Sequence, residues 1–146
     1  MRLPYTKISP DAYSAVLPLP KYFETGSAID QKLRHLVEMR VSQVNGCGYC
    51  LAMHARQLRS HGETQFRLDV LSAWAEVDVF TDREKAALAW AEAITLVAEG
   101  HVSDDVYDLA RAEFSEKELV DLTYIVATMN LWNRLAITFR SDPTPG

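Results

Sequence analysis

Cys47 and Cys50, with His54 four residues beyond, are the residues of this chain whose types and spacing could do chemistry together. They are both of its cysteines and one of its four histidines, within the stretch Asn45-Gly46-Cys47-Gly48-Tyr49-Cys50-Leu51-Ala52-Met53-His54. If a helix starts at the cysteines, spacings of three and four place all three side chains on one face. Two thiols and a base are then within mutual reach. The amides of Gly48, Tyr49 and Cys50 become unpaired donors at the helix start, and their partial positive charge favours a thiolate. Such a position, or an adjacent imidazolium, lowers a cysteine from about 8.5 into a range of roughly 3.5 to 7.5. One cysteine can then attack an electrophile while the other closes a disulfide onto it.

Zinc is the other chemistry that cysteines and histidine suggest. Cys47, Cys50 and His54 supply three ligands, but no second C-x-x-C or H-x(3-5)-H pair exists to close a structural site, so no metal is expected.

The elements that must position these residues are written as helices. Ser9 before Pro10 and Asp11 predicts a helix start, with Ile8 and Tyr13 as a hydrophobic staple, and Pro18 and Pro20 bend or end that helix. Ile29, Leu33, Leu36, Val37, Val41 and Val44 recur at three- and four-residue spacing and predict an amphipathic helix. It leads to the Asn45-Gly46 turn, after which the cysteine helix runs to His61-Gly62. Thr64 opens a shorter piece with Leu68, Leu71 and Trp74. The capping box Thr81-Asp82-Arg83-Glu84 precedes an alanine-rich run to Glu99. Ser103 caps another helix, with Val102 and Tyr107 as its staple. A second capping box, Ser115-Glu116-Lys117-Glu118, opens the last helix, which buries Leu119, Leu122, Val126, Met129, Asn133 and Leu135 or Ala136. The tail Pro143-Thr144-Pro145-Gly146 stops it. Nothing alternates with period two for long enough to make a strand. The reading is an all-α helical bundle, one domain spanning residues 1–146 without repeats or linkers.

The remaining residues receive plainer readings. His61 and His101 flank glycines at helix ends and are read as local caps or solvated groups. Trp74, Trp90 and Trp132 are read as core or subunit-interface anchors. Asn130, Asn133 and Arg134 must find partners if buried, in neighbouring helices, a neighbouring subunit or the Asn45-Gly46 turn.

A hydrophobic share of 48% with 24% charged residues is that of a folded globular chain. The formal net charge of −5 argues against non-specific nucleic-acid binding. No apolar run approaches the roughly 18 residues needed to span a bilayer. Met1-Arg2-Leu3-Pro4-Tyr5 lacks the pattern of a signal peptide, and a cytoplasmic location is expected. In a reducing compartment a C-x-x-C spacing points to redox work or a metal rather than to a structural disulfide.

The string Glu38-Met39-Arg40-Val41-Ser42-Gln43-Val44-Asn45-Gly46-Cys47-Gly48-Tyr49-Cys50, followed by His54, resembles the core motif of the AhpD-like alkylhydroperoxidases in the carboxymuconolactone decarboxylase family. Phe80-Thr81-Asp82-Arg83-Glu84 and Asn130-Leu131-Trp132-Asn133-Arg134 are similar to further stretches of that family. The resemblance runs from about Ile29 to Phe139, with the core motif at about residues 29–61. It implies an AhpD-like helical bundle that assembles into dimers, trimers or hexamers, and a thiol peroxidase that needs no cofactor. It further implies that Cys50 attacks the hydroperoxide, Cys47 resolves the sulfenic acid, His54 moves protons, and a dithiol such as a lipoyl-type reductant protein regenerates the pair. The family's relay glutamate lies twelve residues before the first cysteine, and that position here is His35. Glu38, three residues on, shares a helical face with His35, so Glu38 substitutes or the two act as a pair.

The chemistry runs in the same order. Peroxide cleavage needs a thiolate, a proton for the departing oxygen and a second thiol to consume the sulfenic acid. Cys50, one helical turn from His54, is the better placed to pair with it; Cys47, nearer the helix mouth, is the better placed to meet an incoming dithiol. Two rivals remain. One is a non-redox, decarboxylase-like enzyme using His54, His35 or Glu38 as acid–base groups, against which the presence of both cysteines counts. The other is a non-enzymatic redox sensor whose disulfide alters partner binding.

Overall fold

Capping chemistry sets most of the helix boundaries. In the computed structural model, which describes residues 1–143, Thr81 and Ser115 each accept a hydrogen bond from the N3 amide while Glu84 and Glu118 reach back to the cap, closing both expected capping boxes. Thr64 and Ser103 cap as expected, and Asp30 caps a further helix by accepting from the Leu33 amide. The described residues contain no strand. They form α1 (Tyr5–Ile8), α2 (Pro10–Val16), α3 (Pro18–Thr25), α4 (Gln31–Asn45), α5 (Gly48–Ser60), α6 (Gln65–Val70), a 3-10 helix (Leu71–Glu76), α7 (Asp82–Thr95), α8 (Val97–Gly100), α9 (Asp104–Glu113) and α10 (Glu116–Phe139). None of these helices is long and apolar enough to cross a membrane. The expected stop in the tail falls, from Thr144 onward, outside the described residues.

Three local expectations are corrected. Pro10 does open α2, but the Ser9 side chain makes no capping bond, because the chain arrives from the extra turn α1 and Ser9 leaves the extended geometry a cap requires (φ −128°, ψ 70°). The alanine-rich helix stops at Thr95 rather than Glu99. The β-branched Ile94, Thr95 and Val97 crowd that segment, Leu96 turns to φ −97°, ψ 26°, and Asn130 Nδ2 donates to Thr95 Oγ1 at 3.1 Å. Thirdly, α4 is not a half-exposed amphipathic helix. It packs against α5, α7 and α10, and is buried continuously from Leu33 to Met39, with Arg34, His35 and Glu38 inside. A sequence stripe records apolar spacing only; here the intervening polar residues are buried because they satisfy one another.

The apolar core lies on both sides of α4. Phe23, Val37, Val41, Trp90, Leu122 and Met129 belong to one cluster, and Leu36, Leu58, Leu71, Phe80 and Leu88 to the other. The turn after α4 is fixed by polar contacts. Gly46 takes a left-handed φ of 71°, and Asn45 Nδ2 donates to Asn130 Oδ1 at 3.0 Å and Asn133 Oδ1 at 2.9 Å on α10. Asn133 Nδ2 in turn donates to Ser42 Oγ at 3.1 Å, and Arg134 donates to the Asn130 carbonyl and side-chain oxygens. The late amides therefore find the Asn45-Gly46 turn, one of the partners expected, and pin the start of the cysteine helix to α10.

The helices α1–α3 form a strap across this end of the bundle. Tyr5 stacks on Phe139 at 5.2 Å, Tyr13 meets Trp132 edge-on at 5.8 Å, and the Tyr22 hydroxyl donates to Asp121 Oδ1 at 3.0 Å. The strap roofs the cavity beneath.

Candidate active site

With Gly46 ending α4, the chain re-enters a helix within two residues. Cys47 is the N-cap of α5 (φ −87°, ψ 94°), and its sulfur occupies the place of the usual capping oxygen, accepting the Cys50 amide at 3.4 Å. The two cysteines are joined as a disulfide with Cα atoms 5.4 Å apart, inside the usual range. Helix α5 places His54 one turn beyond Cys50, and α4 delivers Arg34, His35 and Glu38 to the same region. Both cysteines are buried, at 1% and 2% exposure.

The Glu38 carboxylate is the hub. Oε1 accepts from Arg34 Nε at 3.0 Å, and Oε2 accepts from His35 Nδ1 at 2.8 Å. His54 Nδ1 lies 3.4 Å from the same Oε2, close enough for an ion pair but at an angle that leaves the ring nitrogen without a formed hydrogen bond. On its other side, His54 Nε2 lies 3.2 Å from Met129 Sδ of α10. The ring is flanked by two acceptors, a setting that a second proton on the imidazole completes.

Burial alone would raise Glu38, yet the His35 hydrogen bond and the positive charges around it hold its carboxyl below the ordinary glutamate range. Burial pushes His54 below the ordinary histidine range, outweighing the lift from the Glu38 charge, and the charges of His35 and Arg34 add to the lowering. These two directions bear on one contact: a charged His54 would help lower Glu38, but the resting imidazole is neutral. Arg34 and the His35 hydrogen bond therefore carry most of the Glu38 stabilisation. At neutral pH the site holds an ionised Glu38 beside a neutral His54.

Both shifts mean that the unfolded chain binds protons more readily than the folded one, so acid destabilises. The His54 contribution is complete above its ordinary value of about 6.5 and drains as pH falls from there; that of Glu38 is complete above about 4.3 and is lost lower still. Thermal unfolding between pH 8 and pH 4 is expected to show a midpoint that starts to fall below about pH 6.5. His54→Gln should flatten the upper part of that fall and leave the lower part in place. A midpoint that rises between pH 7 and pH 5 would contradict the assignment.

A cavity of about 330 Å³ opens onto this cluster, lined among others by Arg34, Glu38, Cys50, Met53, His54 and Trp132. Of the five sequence-derived residues, Cys50, His54 and Glu38 face it together, and His35 supports Glu38 from behind. Cys47 does not line it. Cys47 stands at the helix mouth, as expected, with its sulfur turned inward under the Cys50 amide by its capping role, and Cys50 is the sulfur at the cavity. In this disulfide form, among the described residues, no hydrogen bond joins His54 to Cys50; the ring lies between Met129 Sδ and Glu38 Oε2.

The donor atoms of His35, Glu38 and His54 lie within 4.8 Å of one another, a span a divalent cation could bridge. The Arg34 guanidinium already neutralises that carboxylate, and the His35 N–H occupies the oxygen an ion would use. The set is a buried cluster anchored by the His35–Glu38 hydrogen bond. The zinc set suggested by the sequence does not assemble, since its two sulfurs are bonded to each other. Sequence reasoning missed Met129 and Trp132 as cavity residues, and placed His61 as a simple helix cap, whereas its ring packs 5.3 Å from that of His35. A contact between the end of α5 and the middle of α4 leaves no trace in local spacing.

This fold is shared. The chain belongs to the carboxymuconolactone decarboxylase family, whose sequence profile matches residues 10–93. Among its relatives, the uncharacterised protein YdfG of Bacillus subtilis (strain 168) is 39% identical over 136 residues, covering 93% of this chain and 92% of YdfG. A crystal structure of a protein of unknown function from Agrobacterium tumefaciens, named for AhpD-type antioxidant defence, superposes with a TM-score of 0.95 at 36% identity and covers 99% of both chains. The debrominase Bmp8 shares the fold at a TM-score of 0.84 and 22% identity, over 94% of this chain and 74% of its own. The bundle is thus AhpD-like, as the motif implied.

Proposed function

We propose that this chain is a thiol-dependent peroxidase that cycles Cys47 and Cys50 between dithiol and disulfide to reduce organic hydroperoxides. The observation that carries the reading is that Cys50 shares its cavity with the buried His54 imidazole and Glu38 carboxylate. In the reduced chain, the Cys50 thiolate attacks the terminal oxygen of ROOH; the S–O bond forms, the O–O bond breaks, and the departing alkoxide takes one proton through His54 to leave as ROH. The Cys47 thiol then attacks the sulfenic sulfur, water departs, and the disulfide forms. An external dithiol closes the cycle. Because Cys50 faces the cavity and both sulfurs are buried, a slender lipoyl-type arm of a reductant protein suits the entrance, bonding first to Cys50 and releasing Cys47. A cycle of this kind belongs in a reducing compartment, in keeping with a cytoplasmic location.

The test is steady-state consumption of cumene hydroperoxide by the reduced chain with dihydrolipoamide. One hydroperoxide consumed per dithiol over many turnovers is expected. If no peroxide is consumed and the reduced cysteines survive, the redox reading falls, and the neutral His54 beside ionised Glu38 points instead to acid–base chemistry of the decarboxylase kind.

Self-association is part of the same reading. Val120, Tyr124, Ala127 and Leu131 form an exposed stripe along the outer face of α10, continuous with an apolar groove of about 870 Å³ beside α1 and α2. Sedimentation at micromolar protein is expected to show a dimer or larger species, and Leu131→Asp to shift it toward monomer. A wild-type chain that sediments only as monomer would reject this.

A further inference from the structure

His61 sits at the C-cap of α5, exposed, where neither its composition nor its spacing marks it as more than a helix end. Its Nδ1 donates to the Gln57 carbonyl at 2.8 Å; a carbonyl only accepts, so Nδ1 carries the hydrogen and Nε2 is the free nitrogen. The His61 ring packs against buried His35 with centroids 5.3 Å apart, and the His35 ring stands 5.8 Å from that of His54. The same logic fixes His35: its Nδ1–H is committed to Glu38 Oε2, leaving Nε2 as the nitrogen able to receive a proton. Glu38 Oε2 in turn lies 3.4 Å from His54 Nδ1. A series of proton-carrying groups thus leads from the exposed surface to the cavity of Cys50, by ring contact from His61 to His35, by hydrogen bond from His35 to Glu38, and by close approach from Glu38 to His54.

We propose that His61 is the solvent port of a proton path that runs through His35 and Glu38 to His54. The purpose of this relay rests on the peroxidase reading; its existence does not. A thiolate at Cys50 converts hydroperoxide to alcohol only if one proton reaches the alkoxide, and Glu38 and His54, which share its cavity, are both buried. His61 Nε2 takes that proton from water and passes it to His35 Nε2, His35 releases its Nδ1 proton to Glu38, and Glu38 protonates His54 Nδ1. One proton enters for each alkoxide neutralised and one returns when reduction restores the Cys50 thiolate. Arg34, the other charged group on Glu38, carries a fixed charge and serves as anchor rather than carrier. His61 is therefore a positioning and relay residue that never touches substrate.

The experiment compares wild type, His61→Ala and, as a control, His101→Ala, in two readouts. The first is exchange of the buried His54 ring N–H with solvent, followed by NMR; the second is single-turnover oxidation of the reduced chain by cumene hydroperoxide. His61→Ala is expected to slow both by about a hundredfold, the lower end of what a positioned proton-transfer group contributes. Added imidazole should restore both in His61→Ala and change neither in wild type, a rescue that a merely structural role would not give. His101→Ala should behave as wild type. Unchanged ring exchange in His61→Ala, or slowing without imidazole rescue, overturns the path. If wild type consumes no hydroperoxide while ring exchange still slows in His61→Ala, the path stands and the peroxidase reading falls. Normal turnover with unchanged exchange removes the path and leaves the peroxidase reading standing.

Discussion

Cys50→Ser is expected to lower kcat/KM for an organic hydroperoxide by about four orders of magnitude or more, the scale seen when a covalent nucleophile is removed. A serine hydroxyl is not ionised near neutral pH and is a poor nucleophile toward peroxide oxygen. Nothing else at the cavity replaces it: Met53 and Met129 offer neutral thioethers, and Cys47 is turned inward as the cap of α5. Serine is nearly isosteric, so the variant should keep the helical circular dichroism of wild type, separating lost chemistry from lost fold. Steady-state kinetics beside that spectrum is the check. Turnover within about tenfold of wild type, where general effects on positioning fall, would remove Cys50 from the nucleophile role.

The second large effect is on stability. Glu38→Ala is expected to cost about 3–5 kcal/mol, because it removes the one anion that Arg34, His35 and His54 share in a buried site and leaves a guanidinium without its partner. For a chain of this length that corresponds to a melting temperature lower by about 10 °C or more. Glu38→Gln keeps shape and an acceptor for Arg34, so it should lose less stability while slowing proton delivery to His54. Denaturant unfolding of the three proteins decides it. A Glu38→Ala loss below about 1 kcal/mol, the level of an exposed ion pair, would mean that the cluster is not held as described.

These effects were unequally legible in the sequence. The cysteine helix, its glycine-led turn and both capping boxes could be read because their determinants lie within four residues of each other, and the structure reproduces each. Glu38 and His35 were found by the same local logic, three apart on one helix. What could not be read is what other helices bring. Met129 lies 75 residues from His54 and meets it only because α10 packs across α5. The amphipathic pattern of α4 concealed that its polar face is buried too, because spacing records apolar positions and says nothing of polar groups that pair with one another. Cys47 does stand at the helix mouth, but the inward turn of its sulfur comes from its contact with the Cys50 amide, which spacing does not record. His61 looked like a cap, and is one; that its ring also meets His35 is a product of the α4–α5 packing alone.

The most direct measurement of the central claim uses Cys47→Ser, reduced and then treated with one equivalent of cumene hydroperoxide in the presence of dimedone, with intact mass and peptide mapping. A single dimedone adduct on Cys50 is the expected result, because the sulfenic acid forms there and has no resolving thiol to consume it. An unmodified protein, or an adduct mapped away from Cys50, would contradict the assignment of Cys50 as the peroxide-cleaving sulfur.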